Sequence, residues 1–251
     1  MTQEKTEAVV LRSVDFSNTS RIVTFITPNR GKVACIARGV RRKGNRQDPL
    51  LDTMNRLEIL YYWKDGRNVQ QLGDIALLDS YPKLKRDLER GAYAAFPLEV
   101  ALKAIHENEP AELPYGALVQ GLELLGQQSE EPRLAVCRLV MQMLGACGFA
   151  PEMDCCVRCG AVVPPAPGFS MEGGVVCRDC RYDRRLSRDA YTVLRLWCME
   201  DADPEVTPAL LALHDPRPAL SAELFAVISR YAAYQLDTSF RSVRVIYDMF
   251  P

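Results

Sequence analysis

Alternating apolar and polar positions dominate the first third of the chain. Turn signals such as Pro28-Asn29-Arg30-Gly31 and Asp65-Gly66 separate stretches rich in Val, Ile, Leu and Thr, a pattern that predicts β-strands. The predicted strands are Ala8–Val14, Ile22–Thr27, Lys32–Arg38, Leu57–Trp63 and Val69–Leu78. Five strands in about 80 residues indicate a small closed barrel, and the oligonucleotide-binding (OB) barrel is typical of that count. An OB barrel usually has a helix between its third and fourth strands, where this chain has a basic loop.

From Tyr81 onward the apolar positions repeat at helical spacing. A first helix is predicted by one apolar face of residues four positions apart, namely Leu88, Ala92, Phe96, Val100 and Ala104. Pro97 lies within this helix and is expected to kink or divide it. Further helices are predicted after an N-cap at Ser129, from Ser187, and around Ile228. The second part of the chain is therefore predicted to be helical.

Four of the nine cysteines form two C-x2-C pairs within a stretch rich in proline and glycine. Cys156 pairs with Cys159, and Cys177 pairs with Cys180. The separation of the two pairs is within the range of four-cysteine zinc sites. Each C-x2-C turn can direct two thiolates at one point, so the four cysteines predict one tetrahedral zinc ion. The alternatives are two disulfides or free thiols, and disulfides are disfavoured because the N-terminal segment has no export signal.

The predicted zinc ion is structural, because four thiolates leave no coordination position for water or substrate. Cys155 is an adjacent spare thiol, and we prefer Cys156 because Cys155 would give a C-x3-C pair. Catalytic signatures are absent elsewhere in the sequence. Neither His106 nor His214 lies near a nucleophile motif, and there is no phosphate loop or dinucleotide-binding motif. The sequence therefore predicts a protein that is not an enzyme.

Charge is unevenly distributed along the chain, although the net charge is only −1. No acidic residue occurs from Phe16 to Gln47. Basic side chains in this window can contact the phosphates of a nucleic acid. Tyr61, Tyr62 and Trp63 alternate faces of a strand, so only some of them can stack on bases. The alternative is a solvated charged loop. The predicted DNA-binding residues are Arg21, Lys32, Arg38, Arg41, Arg42, Lys43 and Arg46.

A second group of arginines follows the last cysteine pair. Its members are Arg178, Arg181, Arg184, Arg185 and Arg188. Asp179, Asp183 and Asp189 alternate with them. This pattern leaves two hypotheses open, a second nucleic-acid contact or local ion pairing.

Together these patterns predict an α+β protein with three parts. Residues 1–80 form an OB-type barrel, residues 81–154 and 184–251 form an α-helical domain, and residues 155–183 form a zinc module inserted in that domain. No apolar run approaches the ~20 residues of a membrane helix. Nine cysteines without an export signal indicate a reducing compartment, so the cytoplasm is the expected location.

The order of these parts resembles the bacterial RecO family of recombination mediators over nearly the whole chain. The most specific match is Leu144–Pro151 leading into Cys156–Gly160. Asn18-Thr19-Ser20 departs from the family pattern, which usually has a Gly-acid pair before the arginine of the second strand. The other matching segments are Ala8–Leu11, Ser20–Thr27, Gly31-Lys32, Ala37–Arg42, Tyr81–Leu88 and Phe169–Cys177.

The resemblance implies a DNA-repair accessory protein without catalytic turnover, associated with the nucleoid. Members of the family bind single- and double-stranded DNA and anneal complementary strands. They work with the partner RecR to load the recombinase RecA onto DNA coated by single-strand-binding protein (SSB). A hypothesis from another class is a protein-binding scaffold that acts mainly through its helical domain.

Overall fold

The computed structural model describes residues 2–127, 131–198 and 218–250 of the chain. The predicted N-cap at Ser129 and the histidine His214 lie outside the described residues. No helix within these three ranges is both long enough and apolar enough to cross a bilayer.

Five strands close into a barrel at the N-terminal end of the chain, in the order β1-β2-β3-β5-β4. The barrel closes because β1 pairs with both β2 and β4. β3 and β5 pair in parallel, and the other pairs are antiparallel. The strands are β1 (Thr2–Asp15), β2 (Arg21–Thr27), β3 (Gly31–Ala37), β4 (Arg56–Trp63) and β5 (Gln70–Asp79).

The five predicted strands are confirmed to within one residue at each end, except at the start of β1. This strand begins at Thr2 rather than Ala8, because its polar first half pairs with β4 from Thr2↔Trp63 onward. Alternate side chains fill the barrel, among them the fully buried Phe25 and Ile59.

A 3-10 helix (Asp48–Leu51) occupies part of the connection between β3 and β4. Its Leu51 is fully buried in the barrel core.

Seven described helices follow the barrel. They are α1 (Pro82–Arg86), α2 (Leu88–Ala104), α3 (Glu112–Gly126), α4 (Pro132–Ala146), α5 (Arg188–Cys198), α6 (Pro218–Gln235) and α7 (Arg241–Met249). α4 packs against α2, α3 and α6, so it is central to the helical core. Its N-cap is Glu131, whose carboxylate accepts a hydrogen bond from the backbone N–H of Leu134.

Two details of α2 bear on the predictions. Of the two alternatives predicted for Pro97, a kink or a division, the division is excluded, because α2 continues through Pro97, which lies buried among neighbours such as Phe96 and Val100. Packing on both sides of the proline holds the helix together despite the missing N–H donor. Leu88 was predicted to lie on the apolar face, but it is the first residue of α2 and is 70% exposed.

The cysteine-rich segment contains a small three-stranded sheet in the order β7-β6-β8. The strands are β6 (Gly168–Ser170), β7 (Gly174–Val176) and β8 (Arg184–Arg185). Phe169 of β6 packs edge-on against Tyr231 of α6, with ring centroids 5.6 Å apart. Phe169 and Val175 belong to the same buried cluster as the helices, so the module shares the helical core.

The barrel docks on the helices through the turn between β2 and β3. The backbone N–H of Ala111 donates to the carbonyl of Pro28 at 2.7 Å, and that of Asn108 donates to the carbonyl of Arg30 at 3.0 Å. Gly31 has φ +58°, and a Cβ there would lie 2.5 Å from the carbonyl oxygen of His106. Only glycine therefore allows this close approach.

Candidate functional site

The structure brings together four cysteine sulfurs, those of Cys156, Cys159, Cys177 and Cys180, all within 4.8 Å of one another. The Sγ atoms of Cys159 and Cys177 are 3.7 Å apart. A tetrahedron with Zn–S bonds of about 2.3 Å has sulfur–sulfur edges of about 3.8 Å. The four sulfurs therefore fit a tetrahedral zinc ion, and Cys155 is not part of the group.

Local backbone hydrogen bonds position the two pairs. The N–H of Gly160 donates to the carbonyl of Cys156 at 2.8 Å, and the N–H of Val157 donates to the carbonyl of Val175 at 3.0 Å. The second bond ties the first cysteine turn to β7, which leads directly to Cys177. The two turns are thus held face to face by the small sheet.

The pKa values of two of the thiols, those of Cys156 and Cys180, are shifted in opposite directions. Burial opposes ionisation of Cys156, but backbone N–H groups of Cys177, Arg158 and Cys159 outweigh it and lower the pKa of Cys156 to about 6. The neighbouring sulfurs of Cys159 and Cys177 raise the pKa of Cys180 to about 12. Four thiolates this close repel one another, so full deprotonation requires a positive ion at their centre.

The predicted basic residues concentrate in the basic segment, which we define as residues 38–47 between β3 and the 3-10 helix. Val40 is buried in the barrel core and anchors the segment. The N–H of Arg42 donates to the carbonyl of Gly39 at 3.2 Å, and the N–H of Asn45 donates to the carbonyl of Arg42 at 3.0 Å. These bonds shape the segment into successive turns on the barrel surface.

Four of the predicted cations are exposed and form no ion pair or side-chain hydrogen bond with any described residue. They are Arg38, Arg42, Lys43 and Arg46. Their charges are therefore available to a ligand, and all four lie within the basic segment.

Two other predicted cations are already paired with a shared carboxylate. Arg21 donates from Nε to Asp15 Oδ1 at 3.1 Å, and Nη2 of Arg41 lies 3.0 Å from Asp15 Oδ2. Asp48 also lies 3.3 Å from Arg21, and Asp52 lies 3.9 Å away. Arg21 and Arg41 must give up their ion pairs with these carboxylates before they can bind a phosphate.

Lys32 lies apart from the other predicted cations. Its Nζ donates to the carbonyl oxygen of Leu102 at 2.7 Å, so the side chain extends from β3 to α2. Burial lowers the pKa of Lys32. The contact gives Lys32 a structural role between the barrel and the helices.

Arg12 was not included in the sequence predictions, because it precedes the acid-free window. It is exposed on β1, opposite Thr24 of β2, and has no acidic partner among the described residues. Because side chains alternate along a strand, the sequence of β1 places Arg12 and Val14 on the same outer face. This alternation is the signal that could have identified Arg12 as an exposed cation.

The arginines after the last cysteine pair do not form the local ion pairs that the sequence suggested as one alternative. Within the described ranges, no carboxylate lies within salt-bridge distance of Arg178, Arg181, Arg184, Arg185 or Arg188. Asp183 instead accepts a hydrogen bond from the backbone N–H of Met171 at 2.8 Å. This group is a second surface that carries unpaired positive charge.

Two family models match the chain. Residues 1–81 match the model described as "Recombination protein O N terminal", and residues 85–243 match "Recombination protein O C terminal". A DNA repair protein RecO from Anaeromyxobacter dehalogenans is 32% identical over 206 residues, 80% of each chain. One from Exiguobacterium sibiricum is 31% identical over 72% of this chain and 71% of the relative. One from Streptomyces avermitilis is 27% identical over 96% of this chain and 97% of the relative.

Proposed function

The chain belongs to the RecO family of DNA repair and recombination proteins, and on that premise we propose that it binds DNA through the basic segment and the adjoining barrel face. The observation that carries the proposal is the group of four exposed, unpaired cations Arg38, Arg42, Lys43 and Arg46 on one short segment. Contacts of these side chains with phosphates would be independent of base sequence, as repair of arbitrary DNA requires.

We also propose that the barrel is an OB fold. Its strand order, 1-2-3-5-4, and its five-stranded closure are those of a small Greek-key barrel, and the outer face of strands two and three is the usual nucleic-acid surface of OB folds. The 3-10 helix with its buried Leu51 stands where OB barrels usually have a longer helix. We assign residues 1–80 to this domain, residues 81–154 and 184–251 to the helical domain and residues 155–183 to the inserted module.

The activity we propose is mediation rather than catalysis. The protein would hold single- and double-stranded DNA by phosphate neutralisation while base edges remain free, which favours annealing of complementary strands. It would help load the recombinase onto SSB-coated DNA together with RecR, in the cytoplasm and at the nucleoid. One structural zinc ion would be held by Cys156, Cys159, Cys177 and Cys180.

The proposal is tested by titrating labelled single-stranded DNA with the protein across a salt series and following fluorescence anisotropy. If four cations engage phosphates, the logarithm of the binding constant should fall with the logarithm of the salt concentration with a slope of about −3, at about −0.7 per phosphate contact on a single strand. Binding of a duplex is also expected, because the phosphate contacts do not read bases. Absence of binding to both DNAs at low salt would refute the proposal.

Asp15 should act as an internal competitor of the DNA phosphates. Asp15→Asn removes the carboxylate shared by Arg21 and Arg41, so both arginines become freer to contact DNA. We expect single-stranded DNA affinity to rise by about three- to tenfold at low salt, and the salt slope to steepen by about 0.7 to 1.4. The measurement is the same anisotropy titration.

The matched control is Glu58→Gln, which changes the net charge by the same amount. Glu58 lies on β4, 2.8 Å from Lys5, and touches none of the predicted DNA-binding cations. If both variants raise the affinity equally, only net charge matters and Asp15 is no specific competitor.

A protein-binding scaffold is the second candidate function. The observation in its favour is the exposure of four large apolar side chains on the last two helices, Tyr234 of α6 and Val245, Tyr247 and Met249 of α7. Loss of binding to SSB-coated DNA after substitution there, with naked-DNA binding intact, would favour the scaffold.

A further inference from the structure

One aromatic side chain of the barrel stands apart from the others in its exposure. The barrel, residues 2–79, contains Phe16, Phe25, Tyr61, Tyr62 and Trp63. Phe25, Tyr61 and Trp63 are buried, and Tyr62 is partly buried. Phe16 is 60% exposed. It follows the last residue of β1, at the start of the turn to β2.

The backbone that carries Phe16 is held in place. Its N–H donates to the carbonyl of Ser20 at 3.0 Å, which closes the turn. Arg41 of the basic segment donates from its backbone N–H to the carbonyl of Thr19 at 3.1 Å and from Nη1 to the carbonyl of Ser17 at 3.0 Å. The turn and the basic segment therefore form one surface, and the exposed ring is attached directly to the proposed phosphate-binding region.

Phe16 borders a groove of about 240 Å³ on the outer face of β1 and β2. The rest of its lining is formed by Arg12, Val14, Asp15, Ile22 and Thr24. Cross-strand pairing sets Val14 beside Ile22 and Arg12 beside Thr24, so the floor is largely apolar with one cation at its edge. Asp15, the only acid of the groove, is neutralised by Arg21 and Arg41.

The same outer face is covered by helices at its other end. Ile26 continues the row of Ile22 and Thr24 along β2, and it is fully buried in the helical core. Lys32 on β3 is likewise bonded to α2. Next to Ile22 and Thr24 the face extends onto β3 through Ile36 and Ala34, which are partly exposed. Among the described residues, nothing covers the end of the face that carries Phe16.

We propose that Phe16 is a stacking platform for one unpaired base of single-stranded DNA, with Arg12 contacting the phosphate beside that base. The inference rests on the proposed function and assigns a strand preference to the same surface. An exposed aromatic ring next to cations is the arrangement by which proteins hold single strands without reading sequence. In a duplex, each base is covered by its neighbours in the stack, so Phe16 cannot contribute in the same way.

The test compares the wild-type protein with Phe16→Ala and Phe16→Tyr by fluorescence anisotropy. Three labelled DNAs of equal length are used, a single strand, a duplex, and a single strand with abasic sites. Phe16→Ala should weaken binding of the single strand by about 5- to 150-fold, the range for loss of one base–aromatic stack. Duplex binding should be unchanged, Phe16→Tyr should restore wild-type affinity, and the abasic strand should bind both proteins equally.

Tyr234→Ala is the matched control, because Tyr234 is an aromatic residue of similar exposure (56%) on α6. It should leave all three affinities unchanged. The inference is overturned if Phe16→Ala binds the single strand as tightly as wild type, or if it weakens duplex and single strand equally. If wild-type protein binds no DNA at low salt, the proposed function itself fails and the inference fails with it.

Discussion

Replacing Cys177 with serine should release the bound zinc and lower the melting temperature of the protein by about 10 °C or more. Structural zinc sites contribute on the order of 10–16 kcal/mol of apparent binding energy, which becomes folding energy. Loss of one of four thiolates removes much of it, so we expect a destabilisation of about 4 kcal/mol or more. In a chain of this size, about 2–4 °C corresponds to each kcal/mol.

The effect should spread beyond the module because the module is part of the helical core. Phe169 packs on Tyr231, and Gln235 of α6 donates from its side chain to the carbonyl of Met171 at 2.8 Å. Tyr191 of α5 donates from its hydroxyl to the carbonyl of Met153 at 3.0 Å. Unfolding of the cysteine turns would break these contacts and loosen α5 and α6.

The measurement pairs metal analysis of freshly purified, reduced protein with a thermal melt. Wild type should contain one equivalent of zinc and Cys177→Ser far less. Cys155→Ser is the control, because Cys155 is adjacent to the cysteine group but not a member of it. It should keep both the zinc and the melting temperature. A Cys177→Ser protein that melts like wild type would show that the four thiols do not hold a structural metal.

The strands and the cysteine group could be predicted because their signals are local. Alternation and turn residues locate each barrel strand, and C-x2-C spacing by itself brings two sulfurs together. The first half of β1 gives no such signal. Thr2, Gln3 and Glu4 are polar, and they become a strand only because β4 offers them hydrogen-bond partners far along the chain.

The pairing of the predicted cations could not be seen in the sequence. Asp15 directly precedes the acid-free window and Asp48 directly follows it. Both fold back onto Arg21, and Asp15 also reaches Arg41. Counting charges in the acid-free window treats all of its cations alike. The fold, in contrast, divides them into cations that are paired with carboxylates and cations that are free. We therefore expect phosphates to bind at the free group rather than along the window as a whole.

Removing the four free charges should abolish most of the DNA affinity. In a variant with Arg38, Arg42, Lys43 and Arg46 all replaced by alanine, we expect single-stranded DNA to bind on the order of a thousandfold more weakly at about 50 mM salt. The reason is counterion release. For each tenfold decrease in salt concentration, one phosphate contact on a single strand raises the logarithm of the binding constant by about 0.7. Four lost contacts should therefore also flatten the salt slope by about 2.8. Because the four side chains are exposed and form no ion pair or side-chain hydrogen bond with described residues, the fold should remain intact.

A second variant with the same loss of charge tests whether the DNA-binding site lies on the basic segment. Replacing Arg178, Arg181, Arg185 and Arg188 with alanine removes four exposed cations that have no ion pair with any described residue, from the zinc module and the segment that follows it to the start of α5. If the basic segment is the binding site, this variant keeps most of its affinity and nearly the wild-type slope. If it loses as much as the first variant, the two surfaces bind one DNA together or net charge alone governs affinity, and the basic segment is not the dominant site. If only the module variant loses affinity, the DNA site lies on the zinc module and the barrel cations are a solvated face.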